Sequence, residues 1–148
     1  MAGALISFSS FATPSDRGAY GWRRSAAAVR EQAGLIPPHI DEVERAYWRL
    51  HAANNRELAR SVRLYASVRE AREHAVAVSA GLARVHATTY PVSSARSVGW
   101  YATIDGEPVM MCARWYQSST LAAQSAARSI AVLASLAPTL RPRASLVP

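Results

Sequence analysis

Residues 98–116 read VGWYATIDGEPVMMCARWY and carry the clearest secondary-structure signal in the chain. From Val98 to Ile104, large apolar residues alternate with other types, which is typical of a strand. Asp105-Gly106 is a two-residue turn of the kind that joins antiparallel strands, and residues 109–116 return as the second strand. This stretch therefore predicts a β-hairpin.

The two faces of this hairpin are both apolar or aromatic. A two-residue turn places Trp100 opposite Met111 and Ala102 opposite Val109. An isolated two-stranded ribbon is not stable in water. One face is therefore expected to pack on helices, and the other to need a third strand, at residues 87–92, or a second subunit.

Upstream of the hairpin, residues 40–86 carry apolar side chains at helical spacing. Asn54 precedes Glu57 by three positions and Ser67 precedes Glu70 by three, and both spacings are typical of a helix N-terminus. These signals predict three helices, beginning near positions 41, 54 and 68. One uninterrupted helix over the same stretch is the alternative.

Downstream of the hairpin, Ser118, Ser119 or Thr120 is expected to cap an alanine-rich helix. The predicted fold class is α+β: a helical N-terminal two-thirds of about three helices, an antiparallel Asp-Gly β-hairpin and a C-terminal Ala-rich helix. No internal repeat is evident in the sequence. The buried stripe of the last helix is expected to contain Ala122, Ala126, Ile130 and Leu133.

Three segments are predicted along the chain. Residues 1–37 are expected to form a flexible or partly helical N-terminal arm, with a short helix over 23–33 that ends at Gly34. Residues 38–137 are predicted to form a single α+β domain. Residues 138–148 are expected to be a disordered tail that contains Pro and Arg.

The composition bounds the class of protein. The chain has 148 residues, half of them apolar, and a net charge of +7 from 17 basic and 10 acidic residues. All 17 basic residues are arginine, and no acidic residue follows Glu107. Such a charge favours anionic partners, namely nucleic acid, an acidic protein or an anionic membrane surface, of which the first two are expected here. Arginine suits phosphate recognition, but a GC-rich genome also produces arginine in place of lysine.

The expected location is the bacterial cytoplasm. Cys112 is the one cysteine, which excludes an intramolecular disulfide. No apolar run reaches the roughly 20 residues that span a bilayer, so no transmembrane segment is predicted.

Residues 57–68 partly resemble the helix-turn-helix family of DNA-binding proteins. Ala59 and Val62 match its small and apolar positions in the first helix, and Leu64 suits the apolar position in the turn. With the hairpin that follows, the arrangement resembles a winged helix. The resemblance implies that Arg69 and Arg72 face the major groove while arginines before them lie near phosphates. An ordinary helical bundle is the alternative.

Arginines at helical spacing extend this predicted interface. Acidic residues interleaved with them, Glu57, Glu70 and Glu73, equally fit a solvated face of internal ion pairs. The predicted nucleic-acid-binding residues are Arg56, Arg60, Arg63, Arg69 and Arg72.

Four aromatic residues on the hairpin form a predicted interaction surface. Aromatic side chains on a sheet can stack the bases of single-stranded nucleic acid, and they equally form cores and dimer interfaces. These residues are Trp100, Tyr101, Trp115 and Tyr116.

No catalytic, cofactor-binding or metal-binding motif is present. Cys112 has no neighbouring base in the sequence. The four histidines, His39, His51, His74 and His86, lack metal-ligand spacing.

The leading hypothesis is a small, basic, non-enzymatic nucleic-acid-binding protein, a DNA-binding regulator or accessory factor. The alternative is a protein–protein interaction or homodimerisation module that uses the aromatic hairpin. An enzyme built from residues that converge only in space is the third hypothesis.

Overall fold

The structure is a computed structural model that describes residues 3–13, 15–36, 44–92 and 96–140. It contains six β-strands and three α-helices within these residues. The elements, in chain order, are β1 (Leu5–Ser10), α1 (Arg17–Gln32), β2 (Ala46–His51), β3 (Glu57–Ser61), α2 (Val68–Ala80), β4 (Val85–Val92), β5 (Ser97–Ile104), β6 (Glu107–Cys112) and α3 (Ser119–Leu140).

The six strands form one antiparallel sheet in the order β1-β2-β3-β6-β5-β4. The expected helical N-terminal two-thirds is therefore wrong. Two of the three helices predicted there, those beginning near 41 and 54, are replaced by β2 and β3. The helix-turn-helix resemblance fails for the same reason, because Ala59 lies in a strand.

Both faces of the sheet are buried at β2 and β3, which explains why apolar and polar residues do not alternate along these two strands. Trp48 and Leu50 point to one face, where each is 0% exposed, while Tyr47 packs on the other. The sequence of β3, ELARS, has high helix propensity. Tertiary packing overrides that propensity, because β3 is held between two strands at the centre of the sheet.

Each face of the sheet is covered by helices. The larger core packs α2 and α3 on the face that carries Trp48, Trp100 and Met110. On the opposite face, α1 packs its buried residues against Tyr47 and Met111. The second apolar face of the predicted hairpin is therefore covered by α1. The expected third strand is β4, which pairs with β5.

The predicted hairpin is confirmed, with corrections to its register and to its second strand, which is Glu107–Cys112 rather than residues 109–116. Asp105 and Gly106 have φ values of 51° and 82°, as the turn requires. The pairing then shifts, so that Met110 rather than Val109 lies opposite Ala102. The extra residue is a β-bulge, which directs both Val109 and Met110 into the larger core.

Two of the three predicted helix caps are confirmed, at Ser67 and Ser118, whereas Asn54 lies in the turn before β3 and caps no helix. The Oγ of Ser67 accepts a hydrogen bond from the backbone N–H of Glu70 at 3.1 Å. The Glu70 carboxylate accepts one from the N–H of Ala66, which completes a box-like arrangement. Ser118 accepts from the N–H of Leu121 at 3.1 Å and so caps α3.

From each edge of the sheet to its centre, three strands follow one another in chain order, β1-β2-β3 from one edge and β4-β5-β6 from the other. The sheet therefore consists of two βββα units. The first unit is β1-β2-β3-α2, with α1 between its first two strands, and the second is β4-β5-β6-α3. Isolated bridges join Ala46 to Tyr65 and Val98 to Tyr116 at equivalent places. The repeat missed in the sequence is therefore structural. Six positions are identical between residues 61–80 and 112–131, namely Arg63/Arg114, Tyr65/Tyr116, Ser67/Ser118, Ala71/Ala122, Ala75/Ala126 and Ala80/Ala131.

The N-terminal elements pack on the same sheet as the rest. Residues 5–10 form its edge strand β1, and α1 ends near Gly34, whose φ is 75°. Trp22 of α1 stacks on Tyr47 at 4.6 Å between ring centroids and donates its indole N–H to the carbonyl of Ser61. The division into arm, domain and tail stays a prediction. Residues 37–43 and 141–148, beside its boundaries, lie outside the described residues.

Candidate nucleic-acid interface

The five arginines predicted to bind nucleic acid do not share one face. Arg60 lies on the sheet face that carries α1, whereas Arg69 and Arg72 lie on α2, which packs on the opposite face. Arg63 follows β3, and Arg56 lies in the turn between β2 and β3. The expected helical stripe therefore does not form, because residues 57–61 are extended.

Four of these five guanidinium groups already have partners within the protein. Arg60 forms two hydrogen bonds to the Glu57 carboxylate, at 2.7 and 3.0 Å, and lies over the Trp22 ring. Arg69 pairs with Glu73 at 3.2 Å. The remaining two are Arg63, paired with Glu44 and placed over Tyr65, and Arg72, placed over Phe8.

The aromatic group of the hairpin is divided between the core and the surface. Trp100 is 0% exposed and Tyr101 is 5% exposed, so both contribute to packing. Tyr116 is half-buried, and its hydroxyl contacts Ser125 at 2.6 Å. Trp115 is 52% exposed, whereas the other three tryptophans of the chain are at most 2% exposed.

Three other arginine side chains converge on a groove at the N-terminal half of α3. We call this the arginine groove; its volume is about 250 Å³. Arg56, Arg114 and Arg128 lie along it. Among the described residues, no side chain forms an ion pair or hydrogen bond with any of these three guanidinium groups. The other lining residues are Glu57, Leu58, Tyr116, Leu121, Gln124 and Ser125.

The fold brings these arginines together from three separate elements. Ala59 of β3 pairs with Cys112 of β6, so the turn before β3 lies beside the loop after β6. Arg56 comes from that turn and Arg114 from that loop. Arg128 lies within α3, which begins at Ser119, directly after the same loop. The sequence signals for this site are the acid-free stretch after Glu107 and the Arg-x-Tyr-x-Ser sequence at 114–118.

The net charge of the groove is positive, although Glu57 lines it. Both Glu57 oxygens accept hydrogen bonds from Arg60, and Arg49 lies at 3.7 Å from Oε1. Two arginines therefore compensate this one carboxylate. The charges of the three groove arginines stay free to attract an anion.

A chain of hydrogen bonds links the wall of the groove to the core. The indole N–H of Trp100 donates to Ser125 Oγ at 3.1 Å, and Ser125 Oγ contacts the Tyr116 hydroxyl at 2.6 Å. These contacts fix Tyr116 and Ser125 in place at the groove. A preorganised wall lowers the entropic cost of binding a ligand.

The equivalent position in the first unit holds a different pair. His74 stands where Ser125 stands in the second unit, and its Nδ1 accepts the indole N–H of Trp48. Burial, with a smaller contribution from the positive charge of Arg63, lowers the pKa of His74 from 6.5 to about 4. Burial also raises the pKa of Tyr65 above its ordinary value. Ala77 is the counterpart of Arg128, so the described part of the first unit lacks the third arginine of the groove.

The remaining candidates for chemistry are separate from the groove. Burial raises the pKa of the Cys112 thiol, whose sulfur accepts the backbone N–H of Trp100. That thiol is consequently a poor nucleophile. Within the described ranges, no three His, Cys, Asp or Glu residues are grouped to hold a metal ion. His39 lies outside the described residues.

Among the described helices, α3 is the one long and apolar enough to cross a membrane by length and composition. A core helix of a soluble protein meets the same criterion. In this fold α3 packs Ala122, Ala126 and Leu133 against the sheet, as the sequence predicted.

Comparison of the chain with protein-family models, with curated proteins and with solved structures gave no significant match. Its function must therefore be argued from the chemistry of the arginine groove.

Proposed function

We propose that this chain is a small, basic, non-enzymatic nucleic-acid-binding protein that holds phosphates in the arginine groove. The observation that carries the proposal is the convergence of Arg56, Arg114 and Arg128, none of which has an ion-pair partner among the described residues. Guanidinium groups bind phosphate oxygens in bidentate geometry. A polyanion gains further from the net charge of +7.

The proposal differs in its contact residues from the helix-turn-helix hypothesis. Of the five arginines expected there, only Arg56 contributes to the groove. Phosphate contacts position a protein on nucleic acid without reading its sequence. The groove alone therefore supports an accessory role that tolerates many sequences.

The experiment compares two triple variants that change the net charge equally. Arg56→Gln, Arg114→Gln and Arg128→Gln together lower the charge from +7 to +4 and empty the groove of arginine. Arg17→Gln, Arg69→Gln and Arg84→Gln lower it by the same amount at exposed positions of other elements. Arg69 and Arg84 form exposed ion pairs, whose loss has little effect on stability.

Fluorescence anisotropy with labelled oligonucleotides, repeated over a salt series, measures the difference. For duplex DNA, each lost phosphate contact lowers the slope of log K against log salt by about 0.9. In the groove variant, which lacks three contacts, this slope should therefore fall by about 2.7, and in the control variant it should hardly change. Equal loss in both variants would show that affinity follows net charge rather than the groove. Absence of binding by the unaltered protein at low salt would refute the proposal.

The alternative, a homodimerisation or protein-interaction module, predicts a different result. Trp115 is the remaining exposed ring of the aromatic group, since Trp100 and Tyr101 are in the core. If that module is the function, Trp115→Ala lowers the sedimentation mass of the protein while nucleic-acid binding is absent.

A further inference from the structure

A second groove lies on the other side of the loop that carries Arg114. It has a volume of about 350 Å³, and we call it the Trp115 groove. The flank of α1 forms one wall, with Arg24 and Ala28, and the indole of Trp115 forms part of the other. The remaining lining residues are Gly21, Ser25, Tyr90 and Val92.

The two grooves are adjacent at one end of the sheet. Arg114 and Trp115 are consecutive residues that line different grooves. The arginine groove lies beside α3, on the α2–α3 side of the sheet, whereas the Trp115 groove lies beside α1. A chain that passes over the loop therefore meets a guanidinium group on one side and an indole on the other.

We propose that the Trp115 groove stacks an unpaired base of single-stranded nucleic acid whose backbone phosphates lie in the arginine groove. This inference rests on the proposed function and narrows its substrate class. In a duplex the bases are stacked inside, so they cannot reach an indole in a groove. In a single strand each base has a free face, and aromatic stacking of this kind tolerates any sequence.

The chemistry of the Trp115 groove fits a base next to a phosphate. Among the described residues that line it, none is acidic, and Arg24 provides a positive charge. Tyr20, 63% exposed, lies under the Arg24 guanidinium at 5.9 Å and adds a second accessible ring beside the groove. The volume of about 350 Å³ lies within the range of small-ligand sites.

Gly21 leaves the α1 wall of this groove open. A Cβ built at Gly21 has no atom within 4 Å. A larger side chain there starts from a Cβ that meets no neighbour and extends into the groove. Gly21→Leu is therefore a variant that blocks the groove while it keeps Trp115.

Tryptophan fluorescence reports on this groove selectively. Trp22, Trp48 and Trp100 are at most 2% exposed, so an added oligonucleotide contacts the ring of Trp115 alone. The experiment titrates the protein with a 12-nucleotide oligothymidylate and, separately, with a 12-base-pair duplex at low salt. Affinity for both is measured by anisotropy for the unaltered protein, Trp115→Leu, Trp115→Phe and Gly21→Leu.

We expect the single strand to quench the fluorescence and to bind at least tenfold more tightly than the duplex. Trp115→Leu and Gly21→Leu should each weaken single-strand binding about tenfold and leave duplex binding unchanged. Trp115→Phe should retain most of the affinity, because a phenyl ring also stacks on a base.

Two outcomes would overturn the inference, and they are distinct from failure of the proposed function. If both nucleic acids bind equally through the arginine groove, and Trp115→Leu changes neither affinity, the proposed function stands and base stacking is refuted. If Trp115→Leu lowers single-strand and duplex affinity alike, the ring acts on something other than an unpaired base. If neither nucleic acid binds, both proposals fall together.

Discussion

Trp48 donates its indole N–H to Nδ1 of His74 at 3.0 Å. Because the indole nitrogen can only donate, Nδ1 must accept and His74 must be neutral. Burial of the ring and, to a smaller extent, the nearby positive charge of Arg63 oppose protonation. The lowered pKa, about 4, follows from this surrounding.

The first prediction is that His74 makes the protein sensitive to acid. Below its ordinary pKa of 6.5 the unfolded chain takes up a proton at His74, whereas the folded chain does so only near pH 4. Stability present above pH 6.5 is therefore lost as the pH falls to 4, by up to about 3 kcal/mol. Urea unfolding at pH 7 and pH 4 measures this loss.

Position 74 in the first unit is equivalent to position 125 in the second, which is a serine. The substitution His74→Ser therefore makes the two positions identical. We expect a lower stability at pH 7 and a shallower decline towards pH 4. His86→Ser replaces an exposed histidine on β4 and is the matched control. An unchanged pH dependence in His74→Ser would contradict the assignment.

The second prediction concerns the two equivalent helix caps. Ser67→Ala and Ser118→Ala should each lower the free energy of unfolding by about 1 kcal/mol, because each leaves a backbone N–H of the first helical turn without its partner. Ser119→Ala, one position later, should have little effect. Similar values for Ser118→Ala and Ser119→Ala would move the cap of α3 elsewhere.

The third prediction concerns Gly99, which pairs with Tyr90 on the edge strand β4. A Cβ at position 99 would lie 2.7 Å from Cζ of the Tyr90 ring. Gly99→Ala should therefore destabilise the protein by about 1–3 kcal/mol through overpacking. In a Tyr90→Leu background the same substitution should have a much smaller effect, which thermal unfolding of the four proteins in the cycle would measure.

The fourth prediction compares two glycines on α1. Gly21→Ala should raise the free energy of unfolding by about 0.5–1 kcal/mol, since alanine is the better helix former and the site is open. Gly18→Ala should lower it, because its Cβ would lie 2.6 Å from the Phe11 ring. Calorimetric unfolding of both variants should show Tm shifts of opposite sign, and equal signs would contradict the packing of α1.

Local signals in the sequence predicted the parts of the fold that local contacts determine. The Asp105-Gly106 turn, the Ser67 and Ser118 caps and the buried stripe of α3 all depend on residues within a few positions of one another. The strands β2 and β3 could not be predicted in this way. Helices cover both faces of the sheet at these strands, so the apolar residues of β2 and β3 show no period of two.

The candidate site was less accessible to sequence reasoning than the fold. Arg56 and Arg114 are far apart in the chain, and only the pairing of β3 with β6 brings them together. Arginines at helical spacing, such as Arg60 and Arg63, gave a false pattern because their segment is extended. The internal repeat was hidden, since most equivalent positions hold different residues.

The placement of α1 between β1 and β2 has a consequence for how the chain folds. Pairing β1 with β2 closes a connection of 35 residues, 11–45, whereas four residues, 93–96, separate β4 from β5. Loop closure of the longer connection costs about 2 kcal/mol more in chain entropy if both behave as flexible loops. The second βββα unit can therefore assemble first and offer the free edge of β6 as a template, on which β3 and then the rest of the first unit are added.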